Sequence, residues 1–146
     1  MASEKPQSYE NHARYVPGYH GVVFGIFVLN LLWSGYRVAT DSSVGTLVNF
    51  LLAVAFLLLF YYARRFAATV QDRVIRVEMR LRLAQVLPAD LRGEIGRFTV
   101  DQLIALRFAG DGELPALARK VLDEKLTDRD AIKKLVKNWQ ADLLRV

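Results

Sequence analysis

The sequence predicts an all-α protein: a transmembrane helical hairpin whose long second helix extends into a small cytoplasmic helical bundle. Three observations carry this expectation. With His20 neutral, the windows between Arg14 and Arg37 and between Asp41 and Arg64 hold no charge and are dense in Val, Leu, Ile and Phe. From Arg64 to Leu87 no Gly or Pro interrupts a run of helix-forming residues. The charge is also segregated, since every Lys and Arg except Lys5, Arg14 and Arg37 follows Tyr62. A hydrophobic content of 53% and a mean hydropathy of +0.17 are high for a soluble chain of 146 residues, but the excess is local to the two windows.

Each window supplies the roughly 20 residues that a bilayer's hydrocarbon core requires of a helix. The expected spans are Tyr19–Thr40 and Val44–Tyr62, between an aromatic N-terminal segment, 1–18, and a cytoplasmic helical region, 64–146. Tyr15, Tyr19, Trp33, Tyr36, Tyr61 and Tyr62 lie near the ends of the apolar runs, where amphipathic rings favour the headgroups. Only Asp41, Ser42 and Ser43 separate the spans, which forces an antiparallel pair with both ends on one side. Lys5, Arg14 and the arginines from Arg64 to Arg82 outweigh the loop's Arg37, so the positive-inside rule sets both termini in the cytoplasm. A cleaved signal peptide fits less well, because the first apolar run begins only near residue 18 and no A-x-A site follows it.

Within the spans, Gly21 and Gly25 form a G-x-x-x-G strip, extended backwards by Gly18, suited to packing within the hairpin or to a dimer seam. Asn30 and Asn49 carry amides that seek partners in hydrocarbon. Folding the hairpin about residue 42 sets Asn30 near Val54 and Asn49 near Gly35, so the two are not expected to face each other. Arg64, Arg65, Arg73 and Arg76 suit anionic headgroups, or fix topology alone.

The second helix is expected to leave the membrane as one rod of about 65 Å from Val44 to Leu87, at ~1.5 Å per residue. Its emerging part carries one apolar line at Ala67, Val70, Val74, Val77, Leu81 and Ala84 and another at Ile75, Met79 and Val86, so it should have two packing partners. Beyond Pro88, Thr99 with Gln102 reads as a capping box opening a helix through Phe108 that stops at Gly110. Pro115 suits the first turn of a helix through Leu126. Thr127 is the expected cap of a last helix, with Ile132, Leu135, Val136, Trp139 and Leu143 on one face and Lys133, Lys134 and Lys137 away from its centre.

Chemistry is sparse. The chain has no cysteine, so disulfides, thiolate nucleophiles and Cys-based metal sites are excluded. No phosphate-binding, hydrolase, zinc-protease or EF-hand pattern occurs, and neither enzyme activity nor a cofactor is expected. His12 and His20 lack a third metal ligand; Tyr9, His12, Arg14 and Tyr15 read instead as an interfacial or docking segment, and Trp139 as a candidate contact. Net charge of +5 does not imply nucleic acid, because Asp128, Asp130 and Asp142 dilute the C-terminal lysines.

Gln7-Ser-Tyr-x-Asn-His-x-Arg-Tyr-x-Pro before the first span, Gln71-Asp-Arg-x-Ile-Arg after the second, Leu106-Arg-Phe-Ala-x-Asp, and Ile132-Lys-Lys-x-x-Lys-Asn-Trp-x-Ala-Asp together make a combined signature. It resembles an uncharacterised bacterial family of short two-span membrane proteins over essentially the whole chain. The resemblance implies a bacterial inner-membrane location and carries over no functional residues. The expected role is a membrane-anchored structural or interaction module, with the bilayer and a protein partner or homo-oligomer as its contacts; the alternative is a small oligomeric channel or transport accessory with Asn30 and Asn49 facing a shared interior.

Overall fold

A computed structural model describes residues 7–11 and 15–142. Among the described residues the chain is all-helical without strands. It divides into two compact units, one of Arg14–Ala68 and one of Met1–Ala13 with Thr69–Val146.

In the first unit a π-helical turn, Pro17–Val23, leads directly into α1, Phe24–Thr40. Pro17 opens the turn, where its missing N–H leaves no bond unmade. α1 ends at Asp41, which pairs with Arg37 at 3.1 Å. The next helix, α2 (Val44–Val86), starts on a reciprocal hydroxyl cap. The Ser43 N–H donates to Thr46 Oγ1 at 3.0 Å, the Thr46 N–H donates to Ser43 Oγ at 3.3 Å, and Thr46 Oγ1 donates to the Asp41 carbonyl at 2.6 Å. The π-helical turn and α1 meet α2 ring to ring in descending order: Tyr19 of the turn on Phe60 at 4.2 Å, then Phe27 of α1 on Phe56 at 5.4 Å. At Gly35 a Cβ would stand 3.6 Å from the Phe50 ring. Falling numbers on one helix against rising numbers on the other make the pair antiparallel.

α2 runs without a break to Val86, and its last turn is closed by Arg92, which donates to the Leu87 carbonyl at 2.9 Å. In the second unit Ile75, Met79 and Leu83 of this helix are buried, as is Leu87 just beyond its end. Against them pack α3 (Ala89–Arg92), a 3₁₀ turn (Ile95–Arg97), α4 (Val100–Leu106), α5 (Leu114–Asp123) and α6 (Arg129–Lys134). Leu103, Leu106, Leu114, Val121 and Ile132 are fully enclosed. These helices are too short to stand alone, and their shared core includes the α2 stripe, as a region of this size requires.

The expected start signals hold at Thr99, whose side chain accepts from the Gln102 N–H while Gln102 reaches back to the Thr99 N–H at 2.8 Å. The buried Gln102 side chain also donates to the Leu126 carbonyl at 2.8 Å, tying α4 to the end of the following segment. Pro115 stands in the first turn of α5 as expected.

The stop signals differ from expectation. α4 ends at Leu106 and α5 at Asp123, where Lys125 adopts a left-handed φ of 51°. The last helix is capped by Asp128, whose carboxylate accepts from the Ala131 N–H at 2.7 Å, and not by Thr127. It ends at Lys134, short of Trp139. The backbone beyond finds better partners outside a helix: the Lys137 and Asn138 N–H groups donate to the Glu113 carboxylate at 3.1 and 2.8 Å. The Asn138 carbonyl accepts from Gly110 at 2.9 Å, and the Gln140 N–H donates to Phe108 at 2.7 Å. An isolated bridge joins Ala109 and Trp139. Lys133, expected away from the centre, is only 9% exposed and reaches Asp130 at 3.3 Å. Leu143 lies outside the described residues.

Two outcomes follow. Thr99→Ala removes a cap and should lower the stability of the helical region by about 1 kcal/mol, measured as the urea midpoint in detergent. Asp90 accepts a bond from Arg119 at 2.6 Å, and this partner holds its carboxyl below the usual aspartate range. A lowered carboxylate stabilises the fold above its unfolded value and loses that contribution as pH falls through the folded one. Both side chains are half exposed, so the effect is small. Asp90→Asn should therefore be slightly less stable than the parent at pH 7, with the difference fading below about pH 4.

Candidate functional site

The second unit is organised around Arg82. Its guanidinium donates to the Arg107 carbonyl at 3.0 Å, the Ala109 carbonyl at 2.6 Å, Gln140 at 2.6 Å and Asp111 at 2.8 Å. Lysine could not make this set, because its single ammonium lacks the planar fork. Sequence reasoning grouped Arg82 with the membrane-flanking arginines; the structure assigns it to the end of α4 and the C-terminal strap. Beside it a cleft of about 410 Å³ is lined by Ile75, Met79, Arg107 and Asp142, with Arg107 paired to Asp142 at 3.3 Å.

The N-terminal segment docks on that strap. Gln7 Nε2 donates to the Asp142 carbonyl at 3.1 Å, and Gln7 Oε1 accepts from the Asp142 N–H at 2.8 Å and the Trp139 indole at 3.3 Å. Lys134 stands 5.5 Å over the Tyr9 ring. Trp139 stacks on the buried Phe108 at 4.5 Å. Of the residues chosen from sequence as contacts, Tyr9 lies under Lys134 and Trp139 bonds Gln7, which sequence reasoning did not single out. Its only signal was its place at the head of the QSY motif. His12 and Arg14 lie outside the described residues. Tyr15 belongs to the other unit, where it stacks on His20 at 5.2 Å.

Of the glycine strip, Gly21 faces the Tyr15 hydroxyl, 3.3 Å from its would-be Cβ, while Gly25 opens to empty space. The close approach to α2 is at Gly35 instead. Asn30 and Asn49, expected not to face each other, line one cavity of about 400 Å³ together with Ser34, Arg37 and Thr46. Both amides are on the exposed surface of the helices. They stand at different heights but on the same edge, because Asn30, Ser34 and Arg37 repeat at helical spacing and so do Thr46 and Asn49.

Of the four arginines proposed for headgroups, Arg65, Arg73 and Arg76 are exposed and Arg64 is half-buried. The two apolar lines of α2 part company. Ile75 and Met79 are 5% and 3% exposed, whereas Val70, Val74, Val77 and Leu81 are between 49% and 62% exposed. A shallow cleft of about 430 Å³ runs along the exposed line, between Val70, Val74 and Val77 and the flanking Arg73 and Glu78. No group of His, Asp and Glu suited to a metal occurs among the described residues.

The match that decides membership runs over residues 1–146. The chain belongs to the family of unknown function DUF6526. No curated protein and no solved structure matches it. The geometry above therefore stands as the chemistry available: a polar edge in the apolar unit, an arginine-centred junction, and an uncovered apolar line.

Arg82→Met should destabilise the second unit by about 2–3 kcal/mol, because carbonyls that accept from a charged donor lose it. Urea unfolding followed by circular dichroism at 222 nm measures this, and Arg82→Lys should recover less than half of the loss.

Proposed function

We propose that this protein is a membrane-anchored interaction module of the bacterial inner membrane. Pro17–Thr40 and the first half of α2 cross the bilayer, and the N-terminal segment and the helical bundle lie in the cytoplasm, where they meet a protein partner. One observation carries this reading. The helices Pro17–Thr40 and Val44–Val86 are long and apolar enough to cross a membrane, and the apolar windows within them are only 6% and 11% buried by the chain itself. A soluble core helix passes the same test of length and composition but buries its window. Leu29, Leu32, Leu51, Leu58 and Leu59 are instead more than half exposed. Burying a Leu fully is worth about 1.5–3 kcal/mol, so leaving this surface in water carries a transfer penalty that drives it into lipid or onto another chain. In lipid it has no such penalty.

Topology is supported by charge and by the clasp. Arg73, Arg76 and Arg80 follow the apolar half of α2, and Gln7, before the first span, hydrogen-bonds Asp142, after the second. Bonds between these positions require both on one side of a bilayer. The sparse chemistry supports no enzymatic role, cofactor or nucleic-acid partner. A second reading, a small oligomeric channel or transport accessory, is favoured by the shared cavity of Asn30 and Asn49 and predicts ion or solute flux in liposomes that Asn30→Leu with Asn49→Leu abolishes.

The chain lacks cysteine, so single cysteines report cleanly. In cells, Ser42→Cys should react with a membrane-impermeant maleimide from outside, and Lys125→Cys only after the cytoplasmic membrane is permeabilised. Equal reaction at both sites in intact cells, or release of the protein by alkaline carbonate, would contradict the membrane reading.

A further inference from the structure

We infer that the uncovered line of α2 is the seam of a parallel two-stranded coiled coil with a second copy of this chain. The inference rests on the membrane reading above and names the partner of that surface. Val70, Val74, Val77, Leu81 and Ala84 alternate at spacings of four and three, and the same alternation extends in sequence to Ala67 and Ala63. This is the a/d repeat of a left-handed coiled coil, with Ala67, Val74 and Leu81 at a and Val70, Val77 and Ala84 at d. Val70, Val74, Val77 and Leu81 of the seam are exposed although large and apolar.

The rest of the wheel agrees. Ile75, Met79 and Leu83 fall at the b, f and c positions, on the side of the helix opposite the seam, and these are the residues buried against the helical bundle. The bundle therefore occupies the outer face and leaves the a/d edge open to a partner helix. Arg73 falls at g and Glu78 at the next e, and both are exposed on the flanks of the cleft beside Val74 and Val77. In a parallel pair, g of one helix meets the following e of the other, so each Arg73 meets a Glu78 of the second copy. An antiparallel pair would set g against g and bring Arg73 towards Arg80. The charge pattern thus selects a parallel partner with the same sequence.

Anchoring supplies the same orientation. Two copies inserted in one membrane present α2 in one direction and at one height, which fixes both polarity and register. A seam of so few heptads is weak between free chains, but confinement to a membrane raises the effective concentration of the partner.

The test uses the full chain in membrane vesicles from cells expressing it, with single cysteines and mild oxidation. Val74→Cys and Val77→Cys lie on the exposed seam and leave the buried face untouched; Arg76→Cys, exposed at position c, is the control. The seam variants should give roughly tenfold more disulfide-linked dimer than the control. Arg73→Glu combined with Val77→Cys should lower the yield severalfold, Glu78→Arg should do the same, and the two reversals together should restore it. Cross-linking that is equal at all three positions, or that appears only between Val70→Cys and Leu81→Cys chains mixed in one membrane, would overturn the parallel seam. So would a double reversal that fails to restore the yield. Alkaline carbonate extraction of the same vesicles separates the two failures: protein that pellets without seam cross-links refutes the dimer alone, and protein that is released refutes the membrane reading on which it rests.

Discussion

The structure depends on one helix that is not allowed to stop. α2 passes from Leu and Phe into Arg, Val and Glu without a Gly or Pro in between. A break near Tyr62 would leave carbonyls and N–H groups without partners at the point where the apolar stretch ends. The stripe of Ile75, Met79 and Leu83 near the end of that helix, with Leu87 just beyond it, is what the short C-terminal helices assemble around.

Several polar side chains of the second unit join segments that are distant in sequence. Arg82 gathers the end of α4 and the C-terminal strap, Glu113 holds the strap's backbone, and Gln7 closes the N-terminal segment onto it. These are directional contacts in a region whose helices are only a few turns long, where apolar burial by itself leaves the chain path loosely specified. The line from Val70 to Leu81 is apolar. This exposed apolar line is the surface that a second copy would cover in the proposed seam.

Much of this was legible in the sequence. The helix lengths followed from charge-free windows and from the missing breakers, and the capping box at Thr99 and the first-turn Pro115 followed from local side-chain geometry. Both apolar lines of α2 were visible at helical spacing, but periodicity does not say which line is covered. Helix ends were the weak point, because the strap after Lys134 is fixed by Glu113, Gly110 and Phe108, none of them near in sequence. Asp128 displaced Thr127 as cap for a local reason, since the Asp128 carboxylate reaches the Ala131 N–H. Gln7 was missed because a lone Gln carries no signature until its partners are adjacent. Asn30 and Asn49 were judged by height along the hairpin, whereas the edge of the pair on which they lie brings them to one cavity.

The most direct measurement of the central claim is a spin-label accessibility scan along α2 in liposomes, one cysteine at a time from Leu47 to Leu83. Labels from Leu47 to Phe60 should be relaxed by oxygen and shielded from a water-soluble nickel chelate. The preference should reverse near Arg64 and Arg65, with renewed shielding from both reagents at Ile75, Met79 and Leu83. Access of the nickel chelate throughout Leu47–Phe60 would contradict the central claim.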